Sequence, residues 1–94
     1  MIIDKPTEPG LYKVVIVNKK PRFAQVSGMS TIAHKNMVQD GEIPTAAGYI
    51  GIFDNGSWKI SDSYSRTLQL SIGSDEDLAI LKAVLGPKYK EPYE

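Results

Sequence analysis

The chain of 94 residues contains no cysteine. This absence excludes disulfide bonds, cysteine-based zinc sites and thiol nucleophiles, and it suits a reducing compartment such as the cytoplasm. Histidine is scarce as well, because His34 is the single one and has no companion at metal-ligand spacing. We therefore expect His34 to be an ordinary surface or loop residue, and we expect neither a metal ion nor another cofactor.

The chain also lacks an excess of charge of either sign, since eleven basic residues balance eleven acidic ones. Generic nucleic-acid binding normally requires a positive excess, so the balance argues against it. No apolar run approaches the roughly 20 residues of a membrane span, and no secretory signal pattern is present. We expect one cytoplasmic domain over 1–94, away from membranes, with an extended lead-in at 1–9 and a loose tail at 87–94.

Arrangements typical of enzymes are missing too. No nucleophile-elbow pattern occurs, and no glycine-rich phosphate loop with its Gly-Lys-Ser/Thr is present. The acidic run 75–77 suits a helix start, where negative charge is favoured, better than it suits a metal site. We expect no catalytic residues and no enzymatic activity.

The C-terminal region carries a strong helix pattern. Ser74 is placed as an N-cap, and three acidic residues follow it in the first turn. Gly86 and Pro87 stand where a helix should end. The predicted inward-facing stripe consists of Leu78, Leu81 and Leu85.

A β-hairpin is predicted over 49–60. Asn55 and Gly56 lie between two apolar runs, and this dipeptide favours a two-residue type I′ turn. That register pairs Phe53 with Trp58, and paired residues share a face of the sheet. The predicted core face then carries Tyr49, Phe53, Trp58 and Ile60.

Gly51 leaves a gap on this predicted core face, opposite Ile60. A β-branched residue at Gly51 should then overpack the core and cost on the order of 1–3 kcal/mol. The prediction depends on the register of the hairpin, because a shift by one residue moves every side chain to the other face.

The strand predicted over 10–17 has apolar residues on both faces. Val15 and Val17 share one face with Leu11, and Val14 and Ile16 lie on the other with Tyr12. This pattern is typical of a central strand. One helix cannot cover both sides of a sheet, so the second side needs either the middle of the chain or a second copy as its cover.

The other elements are weaker. Pro21 favours an edge position for a strand over 22–27, and the alternation over 67–72 predicts a strand with Leu68, Leu70 and Ile72 inward. The segment 28–48 leaves two alternatives: a short helix within 30–39, capped by Ser30 or Thr31, or an irregular strand containing Met37 and Val38. A loop is expected at 43–48.

Together these patterns predict an α+β fold. It comprises a small antiparallel sheet of about five short strands, with one C-terminal α-helix packed on one face and a short helix possible in 30–39.

Charge and aromatic residues indicate candidate binding residues. The segment 9–39 holds five basic residues and no acidic one, so a basic turn at 19–22 could meet an anionic partner. A tyrosine beside an arginine in the predicted loop 62–66 could stack on a planar group or a peptide. The candidates are Lys19, Lys20, Arg22, Lys35, Tyr64 and Arg66.

The leading hypothesis is a small non-enzymatic interaction protein that binds another macromolecule, most simply a protein. It would act through the turn 19–22 with loops 30–48 and 62–66, as an accessory or inhibitory protein of phage type. The alternative is a homo-oligomer, a dimer or larger, that binds a small anionic or nucleotide-like ligand between subunits.

Overall fold

The computed structural model describes residues 2–26 and 32–90. Over these residues the chain forms an antiparallel sheet and one C-terminal α-helix, which confirms the predicted α+β fold class. The predicted helix caps Ser30 and Thr31 lie outside the described residues. The elements are β1 (Ile2–Ile3), β2 (Gly10–Val17), β3 (Lys20–Gln25), a 3-10 helix (His34–Met37), β4 (Pro44–Ile52), β5 (Trp58–Asp62), β6 (Tyr64–Ser65), β7 (Leu70–Ser71) and α1 (Asp75–Leu85).

Five strands form the main sheet in the order β1-β3-β2-β4-β5, and every neighbouring pair is antiparallel. The strand β2 is central, as its two-sided apolar pattern predicts, and its residues 14–17 are buried on both faces. The short strands β6 and β7 pair with each other beside the main sheet. The predicted strand boundaries 10–17 are confirmed.

Each face of the sheet carries its own hydrophobic cluster. On the side that we call the helix face, α1 packs through Leu81 against a core that includes Phe23, Ile50 and Trp58. The other side, which we call the turn face, holds a second cluster: Val15, Val17, Ala24, Met37 and Ala47, with Leu68 and Leu70 packed against it. The chain therefore covers Val15 and Val17 itself, with the 3-10 helix and the turn before β7.

The helix α1 begins as its sequence predicts. The Ser74 hydroxyl accepts a hydrogen bond from the Asp77 amide (3.1 Å), and Asp77 Oδ2 accepts one from the Ser74 amide (3.2 Å). This reciprocal capping box pairs amides that would otherwise lack partners at the helix start. Gly86 ends the helix at φ 98°, a conformation that favours glycine.

The hairpin between β4 and β5 is shifted by one residue from the predicted register. Trp58 lies opposite Ile52 and not opposite Phe53, while Ile60 lies opposite Ile50. The true core face of the hairpin therefore carries Ile50, Ile52, Trp58 and Ile60. Phe53 turns to the other side and is 37% exposed.

The turn chemistry explains the shift. Gly56 has positive φ (84°) but Asn55 does not, so the loop is a type I turn followed by a left-handed glycine and not a type I′ turn. The Asn55 side chain accepts hydrogen bonds from the Ser57 amide (3.0 Å) and hydroxyl (2.6 Å), which stabilises this longer loop.

A type I′ turn occurs instead between β2 and β3. Its two loop residues, Asn18 and Lys19, have φ of 53° and 63°, and Val17 pairs with Lys20 across the turn. The second strand consequently starts at Lys20, ahead of the predicted position 22.

The predicted loop at 43–48 is wrong, because these positions include the first half of the nine-residue strand β4. Ala46, Ala47 and Gly48 have low strand propensity, yet here they are buried between both covering layers. A bulge at Thr45 accommodates Pro44 at the start of the strand.

The predicted strand over 67–72 shrinks to Leu70–Ser71, because residues 66–69 form a turn in which Gln69 has φ 54°. The predicted loop 62–66 contains β6.

Both termini are more ordered than predicted where they are described. Within the lead-in, Ile2 and Ile3 form the outer strand β1 against β3. In the tail, Tyr89 forms a parallel bridge with Trp58, fixed by two backbone hydrogen bonds of 3.0 and 2.8 Å. No helix in the described part of the chain has the length and apolarity needed to cross a membrane.

Candidate functional site

A groove of about 830 Å³ lies on the turn face, at the end of the sheet that the 3-10 helix and β7 leave uncovered. We call it the sheet groove. It is bounded by β2, β4, the end of β5 and the turn that follows β6. Its principal lining residues are Leu11, Lys13, His34, Tyr49, Tyr64 and Arg66.

The register of the sheet places the floor of the sheet groove. Lys13 lies opposite Tyr49, and Leu11 lies opposite Gly51. Leu11 is 39% exposed, and a Cβ atom added at Gly51 would meet no atom within 4 Å. Gly51 therefore lies beside the floor of the groove, next to Leu11, with open space above it. This contradicts the prediction that Gly51 makes room for a core side chain.

The sheet groove is mainly positive. The Lys13 ammonium lies 5.9 Å from the centre of the Tyr49 ring, and Arg66 is exposed on the opposite wall. Within residues 2–26 and 32–90 neither cation makes an ion pair. Asp62 is the acidic lining residue, and its Oδ1 accepts the Tyr64 amide hydrogen at 3.0 Å, so the lining holds two basic residues and one acidic one.

His34 forms the inner end of the sheet groove, and the expectation of a surface histidine is wrong. Its side chain is only 2% exposed, its Nε2 lies 2.7 Å from the Gly48 carbonyl oxygen, and its ring meets Tyr49 edge-on at 5.0 Å. Burial lowers the pKa of His34; Lys13 lowers it further, while the Gly48 carbonyl and Asp62 act in the opposite direction. The neutral ring donates from Nε2 to Gly48 and so fixes the 3-10 helix to β4.

Arg22 has a structural contact that the sequence did not reveal. Its guanidinium donates to both carboxylate oxygens of Glu42, at 2.6 and 2.5 Å, and to the Met37 carbonyl oxygen at 2.9 Å. The Arg22 guanidinium lowers the pKa of Glu42 to about 2. This bidentate pair ties the segment after the 3-10 helix to β3, so Arg22 is already occupied by a partner within the chain.

The structure separates the candidate binding residues into groups. Tyr64 and Arg66 line the sheet groove. The backbone of Lys35 lies at the rim of the groove, because the Lys35 amide donates to Oγ1 of the lining residue Thr67 at 3.3 Å. Lys19 and Lys20 lie at the tip of the β2–β3 hairpin, past the end of β2 and roughly 13 Å or more from Lys13 at the strand rise of about 3.3 Å per residue.

Sequence reasoning missed the residues of the floor. Leu11 and Lys13 are on a predicted strand face, and Tyr49 was assigned to the core face of a misregistered hairpin. The only available signal was Lys13 itself, a charged residue on the face that Leu11, Val15 and Val17 make apolar. A lysine at this position indicates that one end of the face with Leu11, Val15 and Val17 is exposed to solvent.

In the described part of the chain, the sheet groove brings basic and aromatic side chains together without a cluster of metal ligands. Among the described residues no three potential metal ligands come together, and His34 is buried and hydrogen-bonded, which leaves it poorly placed as a general base. No protein-family model, curated protein or solved structure matches the chain.

Proposed function

We propose that this chain is a small non-enzymatic interaction protein of the cytoplasm that binds another macromolecule through the sheet groove, as an accessory or inhibitory protein of the type that phages encode. One observation carries the proposal: Tyr64 and Arg66 meet Lys13 and Tyr49 around the exposed Leu11. Tyrosine and arginine around an apolar centre are the residues that protein interfaces favour.

The openness of the walls supports a macromolecular partner. Tyr64 is 45% exposed and Arg66 is exposed, whereas sites for small molecules typically bury 70–90% of the ligand's surface, as a rough rule. An exposed tyrosine offers a large, rigid contact area with a polar end. These features suit a partner that lies across the groove.

A small anionic or nucleotide-like ligand is the second candidate. The volume of about 830 Å³ lies within the approximate range of 300–1,000 Å³ that such sites have, and Lys13 and Arg66 could pair with a phosphate. The sequence suggested a site between subunits because the second side of the sheet needed a cover. The chain itself covers Val15 and Val17 on that side, so this reason no longer applies. Self-association stays a prediction.

The proposal is tested by capture of partners with two charge-matched variants. Arg66→Glu reverses a charge in the sheet groove, and Lys20→Glu makes the same reversal at the distant hairpin tip. We expect wild type and Lys20→Glu to retain the same bound protein and Arg66→Glu to lose it, as quantified by mass spectrometry of the captured material.

The opposite pattern, with loss only in Lys20→Glu, would place the interaction at the hairpin tip and refute the groove as the binding surface. Native mass spectrometry of the purified chain tests the second candidate. A bound metabolite that Arg66→Glu releases would favour the small ligand over the macromolecule.

A further inference from the structure

We propose that the occupant of the sheet groove is an acidic, extended peptide segment whose apolar side chain lies over Gly51. This inference rests on the proposed function and adds the chemistry of the partner. Three features of the described residues carry it: the cations around the groove, the open surface at Gly51 beside its floor, and the cations that already cover the rings of Tyr49 and Phe53.

The cations form a partial ring around the floor. Lys13 and Arg66 line the sheet groove, and Lys59 lies opposite Gly51 on the neighbouring strand. Lys90 is close to the same face, because its ammonium lies 4.6 Å from the centre of the Phe53 ring. Asp62 is the acidic residue of the groove lining, so two basic residues, Lys13 and Arg66, face one acidic residue there. Electrostatic complementarity therefore calls for a negatively charged partner.

The surface beside the groove floor is open next to Leu11. Leu11 lies opposite Gly51, and Phe53 follows just past the end of β4; Leu11 and Phe53 are both partly exposed. No atom lies within 4 Å of the position that a Gly51 Cβ would take. An apolar side chain of the partner can occupy this space in contact with Leu11, which buries apolar surface on both molecules.

Two covered rings, those of Tyr49 and Phe53, favour a peptide over single-stranded nucleic acid, while the Tyr64 ring is exposed. Bases bind by stacking on open aromatic faces. The Tyr49 ring carries the Lys13 ammonium above it and the His34 ring at its edge, and the Phe53 ring carries Lys90. Carboxylates can pair with these ammonium groups where they are, whereas bases would have to displace them.

The test uses three labelled probes: a short glutamate peptide with one central leucine, the same peptide with glycine at that position, and a short oligothymidylate. Fluorescence anisotropy gives their affinities for the wild-type protein at low and physiological salt. We expect the leucine peptide to bind most tightly and to weaken as salt rises, because the charges are exposed to screening.

Gly51→Val is the decisive variant, since its side chain fills the space without touching the core. We expect it to weaken the leucine peptide about tenfold, equivalent to ~1.4 kcal/mol, and to bring its affinity down to that of the glycine peptide. Its unfolding temperature should equal or exceed that of the wild type, because a strand loses stability when it contains glycine, and this separates a blocked site from a damaged fold. Lys20→Glu serves as the control that should bind like the wild type.

Several results would overturn the inference. Equal affinity for the leucine and glycine peptides, or an unaffected Gly51→Val variant, would remove the apolar anchor. If neither peptide binds, the occupant is not an acidic peptide. If the oligothymidylate binds more tightly than the peptides, the occupant is a nucleic acid. If any of these occurs while Arg66→Glu still loses a captured partner, the proposed function stands and only the chemistry assigned to that partner fails.

Discussion

Two glycines on β4, Gly48 and Gly51, face opposite sides of the sheet and have opposite requirements. A Cβ atom on Gly48 would lie 2.5 Å from Ile72 Cγ2 and 2.7 Å from the Asp62 carbonyl oxygen, while one on Gly51 would lie in open space. The backbone contact cannot move away as easily as the end of a flexible side chain can. Gly48 is thus the glycine that the packing requires, and the prediction for Gly51 is wrong.

We expect Gly48→Ala to destabilise the protein by about 1–3 kcal/mol, because the added methyl group overpacks the contact with Ile72 and Asp62. Gly51→Ala is the matched control on the same strand and should stabilise the protein by about 0.5–1 kcal/mol, because alanine loses less conformational entropy than glycine in a strand. Urea unfolding followed by Trp58 fluorescence measures both. Equal unfolding midpoints for the two variants would contradict the assignment of the faces.

At the scale of an element, the β2–β3 hairpin has a turn that its residues fit poorly. Lys19 has φ 63°, and a left-handed conformation costs a residue with a side chain roughly 1–2 kcal/mol. Asn18 tolerates this conformation better than lysine does. The register of β2 against β3 thus persists through the burial of both strands and not through the turn alone.

Lys19→Gly should therefore stabilise the protein by about 0.5–1 kcal/mol, because glycine adopts this φ without steric strain. Lys20→Gly, one residue later and inside β3, should destabilise it by a similar amount through the entropy that glycine loses in a strand. Thermal and urea unfolding of the pair should give opposite signs. The same sign for both would show that the turn residue is not strained in solution.

Two polar contacts, a hydrogen bond and an ion pair, hold the middle of the chain to the sheet. His34 binds the Gly48 carbonyl oxygen of β4, and Glu42 binds Arg22 of β3. Both contacts depend on protonation, so they link the stability of the whole molecule to pH in two separate windows.

In the upper window the stability should fall as pH decreases below the ordinary histidine pKa of 6.5. Below this pH His34 binds a proton in the unfolded state, but in the folded state its pKa is lower and it stays neutral. The unfolded state is therefore increasingly favoured until the pH reaches the pKa of His34 in the folded state. His34→Gln can still donate to Gly48 but cannot titrate, so we expect it to flatten this part of the curve. Urea unfolding across the pH range measures the slope.

In the lower window the stability should fall as pH decreases from 4.5 toward about 2, the two values between which the Glu42 pKa shifts. Protonation then removes the ion pair that only the folded state has. Glu42→Gln should lose this lower slope and keep the upper one, while His34→Gln should do the reverse. A variant that flattens both windows would show that the two contacts are not independent.

The sequence alone determined those features that depend on local pattern. The helix α1 follows from its leucine spacing, Ser74 and the acidic first turn, and the central strand β2 follows from its two-sided apolar run. These signals are sufficient because capping and burial periodicity act within a few residues of one another.

The tertiary structure alone decided the register of the β4–β5 hairpin, the strand identity of Pro44–Ile52, and the sheet groove. Asn55 and Gly56 are compatible with two loop lengths, and the burial of Trp58 on the helix face selects the longer one. Ala46, Ala47 and Gly48 form a strand because they pair with buried residues of the central strand β2. The groove brings together Lys13, Tyr49 and Arg66, which lie on separate segments of the chain. Because these residues are far apart in sequence, no local sequence pattern predicts that they come together.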